Sequence, residues 1–384
     1  MDKITFCIPS RDNLRYLKTC IASIRENAYR KDHDIIIFVD ESNDGTVEWL
    51  LESTDKYNLH IVVNPDLGES LYGIGKAYDE CIKLAETDIV MIFHADMILG
   101  KNADLEAFKH LSSKSAVCST RVEPPLHPNA GEKILRNFGM YPEEFSKTQW
   151  NKFIDSEGDS DKVTAGIFAP WMVYKKDFLD LGGHDYKLHS CREDSDLFNR
   201  MSLDGWKFKQ VWSSLVYHFA GRGAGSFSED RERHNAWQIQ MQNSTKEFIR
   251  KWGTNVMHSP MMLPQVAPYY DKGIVVANPT KELLLMLEPW CSTIYSTSDI
   301  MQEIHGELVN NTAYDLSNRL SSEEPTNDIN IFIDGSTFTT QDLTYLHSIS
   351  QILQQEKPQS GEFRLGSFTI KINNYKEYKY NPNN

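Results

Sequence analysis

His94-Ala95-Asp96 stands directly behind an unbroken apolar run, Ile89 to Phe93. Such a run reads as a strand buried on both faces of a parallel sheet. In open α/β sheets, ligands bind just beyond the carboxyl ends of the strands. A histidine and an aspartate at that place can both face a bound cation or phosphate. Asp96 could equally cap the segment that follows. A second polar run, Asp40-Glu41-Ser42-Asn43-Asp44-Gly45-Thr46, is a turn of acids and hydroxyls. A third, Arg192-Glu193-Asp194-Ser195-Asp196, opens a helix, where the helix dipole favours carboxylates. Asp196 alone could cap that helix, so one of the neighbours Glu193 and Asp194 is free for general base work. Tyr217-His218 ends another short apolar segment. An oxygen ligand from Asp96 and a nitrogen ligand from His218, with positions left open, suit a divalent metal that also binds diphosphate oxygens.

Alternating elements must position these groups. Ile4–Pro9 reads as a buried strand, followed by the polar turn Ser10-Arg11-Asp12-Asn13. Leu14, Leu17, Ile21 and Ile24 then fall at helical spacing. Asp34–Val39 is a second strand, His60–Val63 a third, and helices run through Val47 and Leu50 and over about Gly75–Ala85. Strands alternating with helices predict a parallel sheet with helices on both faces and right-handed crossovers. Three polar clusters at strand ends should then converge on one crevice.

Further along, Glu123-Pro124-Pro125 reads as the start of a loop, and Asp155–Asp161 as an acidic surface loop. Thr164–Tyr174 reads as one strand, Lys207–Trp212 and Leu215–Phe219 as two, and about Glu232 to Trp252 as a helix. Residues 254–270, with Pro260, Pro264 and Pro268, form a linker between residues 1–253 and a smaller α/β domain over 271–384. In that domain Gly273–Ala277 and Ile329–Asp334 are strands, Lys281–Trp290 and Thr340–Leu353 helices, and Phe363–Ile372 a terminal strand. The Tyr- and Asn-rich tail after Asn373 reads as poorly ordered.

Composition sets outer limits. The net charge is -14 and there is no long basic run, which argues against wrapping nucleic acid or lying on an anionic membrane. The six cysteines are scattered without Cys-X-X-Cys spacing, so a zinc site is not expected and the chain reads as one of a reducing compartment. No apolar run approaches the ~18 residues of a membrane helix, and Met1 leads straight into a strand without a signal peptide. The expectation is a cytoplasmic protein. No Gly-X-Gly-X-X-Gly follows the first strand and no Walker loop is present, so neither a dinucleotide fingerprint nor a P-loop is supported.

With these motifs in order, the sequence resembles the family 2 glycosyltransferases, nucleotide-sugar enzymes of the GT-A fold. The resemblance covers about Lys3 to His218 and rests on six elements: Ile8-Pro9-Ser10 with Asn13; the Asp40–Thr46 turn; His94-Ala95-Asp96 in place of an Asp-X-Asp motif; Leu181-Gly182-Gly183-His184-Asp185; Glu193-Asp194 with Asp196-Leu197 and Arg200; and Tyr217-His218. Two departures stand out: His94 replaces the first Asp of Asp-X-Asp, and the Asp40 turn is one residue shorter than the usual form. The resemblance implies inverting transfer from a nucleoside-diphosphate sugar, most simply a UDP-sugar, to a hydroxyl of a carbohydrate or glycoconjugate. Asp194 would act as base beside Glu193, and Mn2+ or Mg2+ would sit on Asp96 and His218. Pro9, Ser10, Arg11, Asn13, Asp40, His94 and Ala95 would line the nucleotide, with Asp12 or Asn13 supporting Asp40. Lys76 and Arg222 are candidates for the diphosphate, though each also reads as an ordinary surface cation. Trp171, Gly183, His184 and Asp185 are candidates for the acceptor side, and Trp171 and His184 equally read as core. The C-terminal domain is left to acceptor recognition or self-association as a homo-oligomer. Two rival readings stay open: a retaining transferase or nucleotidyltransferase, and a non-catalytic GT-A-like module that binds carbohydrate or protein.

Overall fold

The computed structural model describes residues 1–65, 72–158, 160–189, 191–221 and 231–381, with Arg233 described by its backbone alone. The chain divides into two compact units, one of residues 1–239 and 258–265, the other of residues 240–257 and 266–384.

In the first unit the expected alternation is present. Strands β1 (Thr5–Ser10), β2 (Asp34–Val39), β3 (Leu59–Val63) and β4 (Ile89–Ile92) alternate with helices α1 (Leu14–Asn27), α2 (Thr46–Tyr57) and α3 (Ile74–Leu84). Every residue of β2 and β4 is buried, as continuous Ile, Val and Phe runs between two helical layers require. Each such side chain contributes roughly 1.5–3 kcal/mol by leaving water. Helix α1 turns Leu17, Cys20, Ile21 and Ile24 inward, the stripe its spacing predicts.

Beyond β4 come β5 (Met97–Leu99), α4 (Ala103–Phe108), β6 (Ser115–Glu123), β7 (Ile134–Leu135), α5 (Lys147–Glu157), β8 (Val163–Thr164), β9 (Trp171–Tyr174), α6 (Lys175–Asp180), α7 (Glu193–Leu203), β10 (Lys207–His218) and α8 (Arg231–Trp252). The main path of the sheet runs β3-β2-β1-β4-β9-β6-β10-β5. Strands β1 to β4 are mutually parallel, β9 is antiparallel to β4 and to β6, and β10 is parallel to β6. The carboxyl ends of β1, β2, β4, β6 and β10 therefore share one edge of the sheet.

Four expectations change here. Glu123 is the buried last residue of β6, not the start of a loop. Residues 155–157 end helix α5. The expected strand Thr164–Tyr174 splits into β8 and β9, which pair with different strands; Pro170 before β9 has no N–H to carry a ladder through. Conversely, Lys207–Trp212 and Leu215–His218 form one strand with a bulge: Val211 faces Ser119 and Leu215 faces Thr120, so Trp212 to Ser214 have no partner in β6.

The second unit holds a six-stranded sheet of order β13-β12-β11-β14-β16-β15. Its elements are β11 (Lys272–Ala277), α9 (Lys281–Leu287), β12 (Thr293–Tyr295), α10 (Ser298–Leu308), β13 (Leu320–Ser321), β14 (Ile329–Asp334), α11 (Thr340–Glu356), β15 (Gly361–Leu365) and β16 (Phe368–Ile372). The expected helix to Trp290 tightens into a 3-10 turn over Glu288–Trp290. The expected terminal strand is a hairpin, β15 and β16 meeting Leu365 to Phe368. The tail is packed rather than loose as far as Asn381: Tyr378 bridges to Tyr269, and Asn381 donates to the Arg250 carbonyl at 3.0 Å. Among the described residues no helix is long and apolar enough to cross a membrane.

Candidate functional site

The β1 and β2 turns are stapled to each other. Asp12, at φ +45°, accepts from Asn43 N at 2.8 Å through Oδ1 and donates its own N–H to Ser42 Oγ at 2.9 Å. Asp44 accepts from Leu14 N at 2.8 Å, so a residue of the second turn caps α1, while the Asn13 side chain makes no cap bond. Asp12 thus supports the turn rather than Asp40 itself. Asp40 accepts from Asn64 Nδ2 at 2.8 Å and from Tyr72 N at 3.1 Å. Tyr72 stacks on Phe38 at 4.7 Å, and Lys76 sits over the Tyr72 ring at 3.7 Å, which brings Lys76 to the Asp40 turn. Ser10 Oγ and Arg11 Nε are enclosed without a hydrogen-bond partner. Buried polar atoms are rarely left so, and a ligand at the β1 end would satisfy them. Pro9 is half-buried opposite Phe38, and Ala95 is buried. Arg222 lies outside the described residues.

At the ends of β4 and β10, His94, Asp96 and His218 meet. One ligand atom from each lies within 4.8 Å of the others. His218 Nε2 is 3.4 Å from Asp96 Oδ1, and the imidazole rings of His94 and His218 are 5.6 Å apart at 64° to each other. Burial disfavours the charged form of His94, and the neighbouring His218 adds to this, so its pKa falls to about 4 and it stays neutral. Burial acts the same way on His218, but the charge of Asp96 and hydrogen bonds to Asp96 and Glu123 outweigh it and raise its pKa to about 9. Glu123 is the residue the sequence reading missed: its Oε1 accepts from His218 Nδ1 at 2.8 Å.

Helix α7 brings the acids. Glu193 is half-buried, with Oε2 enclosed and unpartnered. Burial, then the negative charge of Asp194, raises its pKa to about 8. Asp194 accepts from Ser195 N at 2.6 Å. Helix α7 packs against α3.

Two acceptor-side candidates are placed otherwise. Trp171 is 2 % exposed and packs against Phe178 and Phe198, leaving no face for a sugar. His184 is buried, with Nδ1 2.6 Å from Asp79 Oδ1, so it anchors its own turn to α3. Gly183 permits this: its φ is +68°, and a Cβ there would lie 2.4 Å from Asp79 Oδ2. Arg200 locks the same turn from α7, donating to Gly183 O at 2.5 Å and to Asp196 at 2.8 Å. Asp185 accepts from Lys187 N at 3.1 Å at the half-buried end of the turn.

Residues 5–169 match the sequence family described as Glycosyl transferase family 2. This stretch belongs to that family. The family 2 segment holds Asp40, His94 and Asp96; Glu193, Asp194 and His218 lie beyond its end. Its membership supports glycosyl transfer in general. Among solved structures the chain is similar to S. aureus TarS 1-349, at 12% identity and TM-score 0.41, covering 65% of this chain and 73% of that one. It is also similar to GalNAc-T7 solved with UDP, GalNAc and Mn2+, at 11% identity and TM-score 0.42, covering 65% of this chain and 50% of that one. For S. aureus TarS, at 13% identity and TM-score 0.41, 64% of this chain and 44% of that one are covered. No curated protein matches the chain.

Proposed function

We propose that the first unit transfers a sugar, with inversion, from a nucleoside-diphosphate sugar of the UDP type to a hydroxyl of a carbohydrate acceptor, and that it uses Mn2+ or Mg2+. The observation that carries this reading is the meeting of His94, Asp96 and His218 at the carboxyl edge of a family 2 domain. The donor set fits a divalent cation: a carboxylate oxygen and two imidazoles, with open positions left for diphosphate. His94 belongs to this cluster, so the change from Asp keeps a ligand atom in place. That weighs against a non-catalytic module. Asp96 and His218 would hold the cation, with His94 in reach. When bound, it would supply positive charge against the oxygens of the leaving diphosphate.

The chain's own groups do the rest. Asp40 accepts N–H groups and would accept one from the nucleotide base. Ser10 and Arg11 offer unsatisfied donors to the same ligand. Two neighbouring carboxylates whose environments differ divide acid and base roles between them. Glu193 holds its proton at neutral pH, which leaves Asp194 to take the proton from the acceptor hydroxyl as that oxygen attacks the anomeric carbon. The bond to the diphosphate oxygen breaks as the new glycosidic bond forms. The turn of Gly183 to Asp185, fixed by Asp79 and Arg200, would border the acceptor.

The test is a screen of UDP-sugars with the full chain and Mn2+, reading product configuration. Asp194→Asn should lower transfer about 10²–10⁴-fold, the range for loss of a general base, with nucleotide binding intact. Transfer retained in that variant would sink the base assignment.

A further inference from the structure

We propose that Glu123 is a positioning residue for His218, fixing its ring so that Nε2 is the atom presented toward Asp96 and a shared cation. This rests on the metal reading above.

The geometry begins in the sheet. In the parallel pair of β6 and β10, Val216 lies opposite Arg121 and Tyr217 opposite Val122. One step further, His218 is the cross-strand neighbour of Glu123, and neighbours in register share a face. Both residues are buried. Glu123 Oε1 lies 2.8 Å from His218 Nδ1 and 2.8 Å from Arg121 Nη1, and its Oε2 lies 2.9 Å from Lys133 Nζ. Both oxygens are thus held. Arg121 is braced in turn over the Phe168 ring at 3.8 Å. The carboxylate has little freedom to turn, and the imidazole it grips has little freedom to flip.

Arg121 and Lys133 are matched by Glu123 and Glu132, all four buried within one connected cluster. A neutral imidazole that donates its Nδ1–H to a carboxylate has its lone pair on Nε2, and the carboxylate strengthens that lone pair as a donor. His94 has no such carboxylate partner among the described contacts. The two histidines are therefore unequal: His218 is the oriented ligand.

The experiment uses the full chain without nucleotide or acceptor. Mn2+ is titrated and free ion is followed by electron paramagnetic resonance, for wild type, Glu123→Gln and Glu123→Asp. Each variant should bind Mn2+ about 10–100-fold more weakly, as loss of an outer-shell partner does. The Asp variant keeps the charge but loses the reach, so weakening there marks a role in orientation rather than in charge balance. Wild-type affinity in Glu123→Asp, or equal affinity in all three proteins, would overturn the proposal. A measurement on wild type alone guards against variants that fail to fold. In the Zn2+-loaded protein labelled with nitrogen-15, His218 should show a protected proton on Nδ1 and metal on Nε2. Metal on Nδ1 would overturn the proposal while leaving the metal site in place. Failure of wild type to bind either ion would remove the metal reading itself, and the proposal with it.

Discussion

Each unit holds a buried glutamate among cations, and the two arrangements differ in their partners. In the second unit Glu288 is fully buried; Arg250 Nη2 and Arg319 Nε reach its two oxygens at 2.5 Å each. Arg250 also binds Glu247 at 2.7 Å, and Arg319 closes on the carbonyls of Glu288 and Cys291 at 2.8 Å. Burial pushes the Glu288 carboxyl up, and the two guanidinium groups reverse this and hold it near pKa 2. Every donor there points at the glutamate or at backbone. In the first unit Glu123 is likewise held down by cations against its burial, but one of its partners is the imidazole of His218. That imidazole carries the network on through its second nitrogen toward Asp96. The cations at Glu288 are both guanidinium groups, whereas Glu123 also grips an imidazole at the edge of the proposed site.

The sharpest way to break this contrast is Asp96→Ala. Loss of charge stabilisation worth several kcal/mol should reduce transfer about a thousandfold or more. If turnover survives, the first cluster is as structural as the second. Glu288→Ala should instead cost about 3–5 kcal/mol of stability, because two guanidinium groups are left buried and unpaired. Urea denaturation of the full chain measures it, and an unmoved midpoint would mean water replaces the carboxylate.

Isolated buried charges extend the comparison to pH. Lys272 is fully buried, donating to Gly253 O at 3.2 Å and Ser350 Oγ at 3.1 Å, and burial lowers its pKa from 10.5 to about 8. Between these values the unfolded chain holds a proton that the folded chain has released. Stability should therefore rise with pH across that window, by up to about 3 kcal/mol, and Lys272→Met should flatten the rise. Glu193 gives the opposite slope. Its pKa is raised from 4.5 to about 8, so over that window the folded chain keeps a proton that the unfolded chain loses. Stability should fall there as pH rises, and Glu193→Gln should remove about 2 kcal/mol of that fall, allowing for its half-burial. Melting temperatures taken from pH 5 to 10 separate the two, and parallel curves for wild type and variant would contradict either assignment.

Much of the first unit was legible because its strands are continuous apolar runs and its chemistry lies where those runs stop. His94, Asp96 and His218 are strand-end residues, and parallel strands bring their ends to one edge. Glu123 was not legible, because the prolines after it signal a loop and its partner is 95 positions away. Which strands lie side by side depends on packing of the whole sheet, which no local pattern records. Trp171 and His184 were ambiguous for a related reason: an aromatic residue near a motif gives no sign of which layer it enters. Asp79 sits inside a helix pattern, where an acid reads as surface until Gly183 opens room for it.

The bulge in β10 sets where later innovations in this site can come from. Four steps along β10 match one step along β6 there, an odd surplus that inverts the alternation of everything downstream. Deleting a single residue at Ser213 would carry His218 into the place of Tyr217, bring Phe219 into the place of His218, and turn the imidazole into the other layer. The histidine is thereby tied to the length of this short detour as firmly as to its own codon, and a change in chain length would erase it without any substitution.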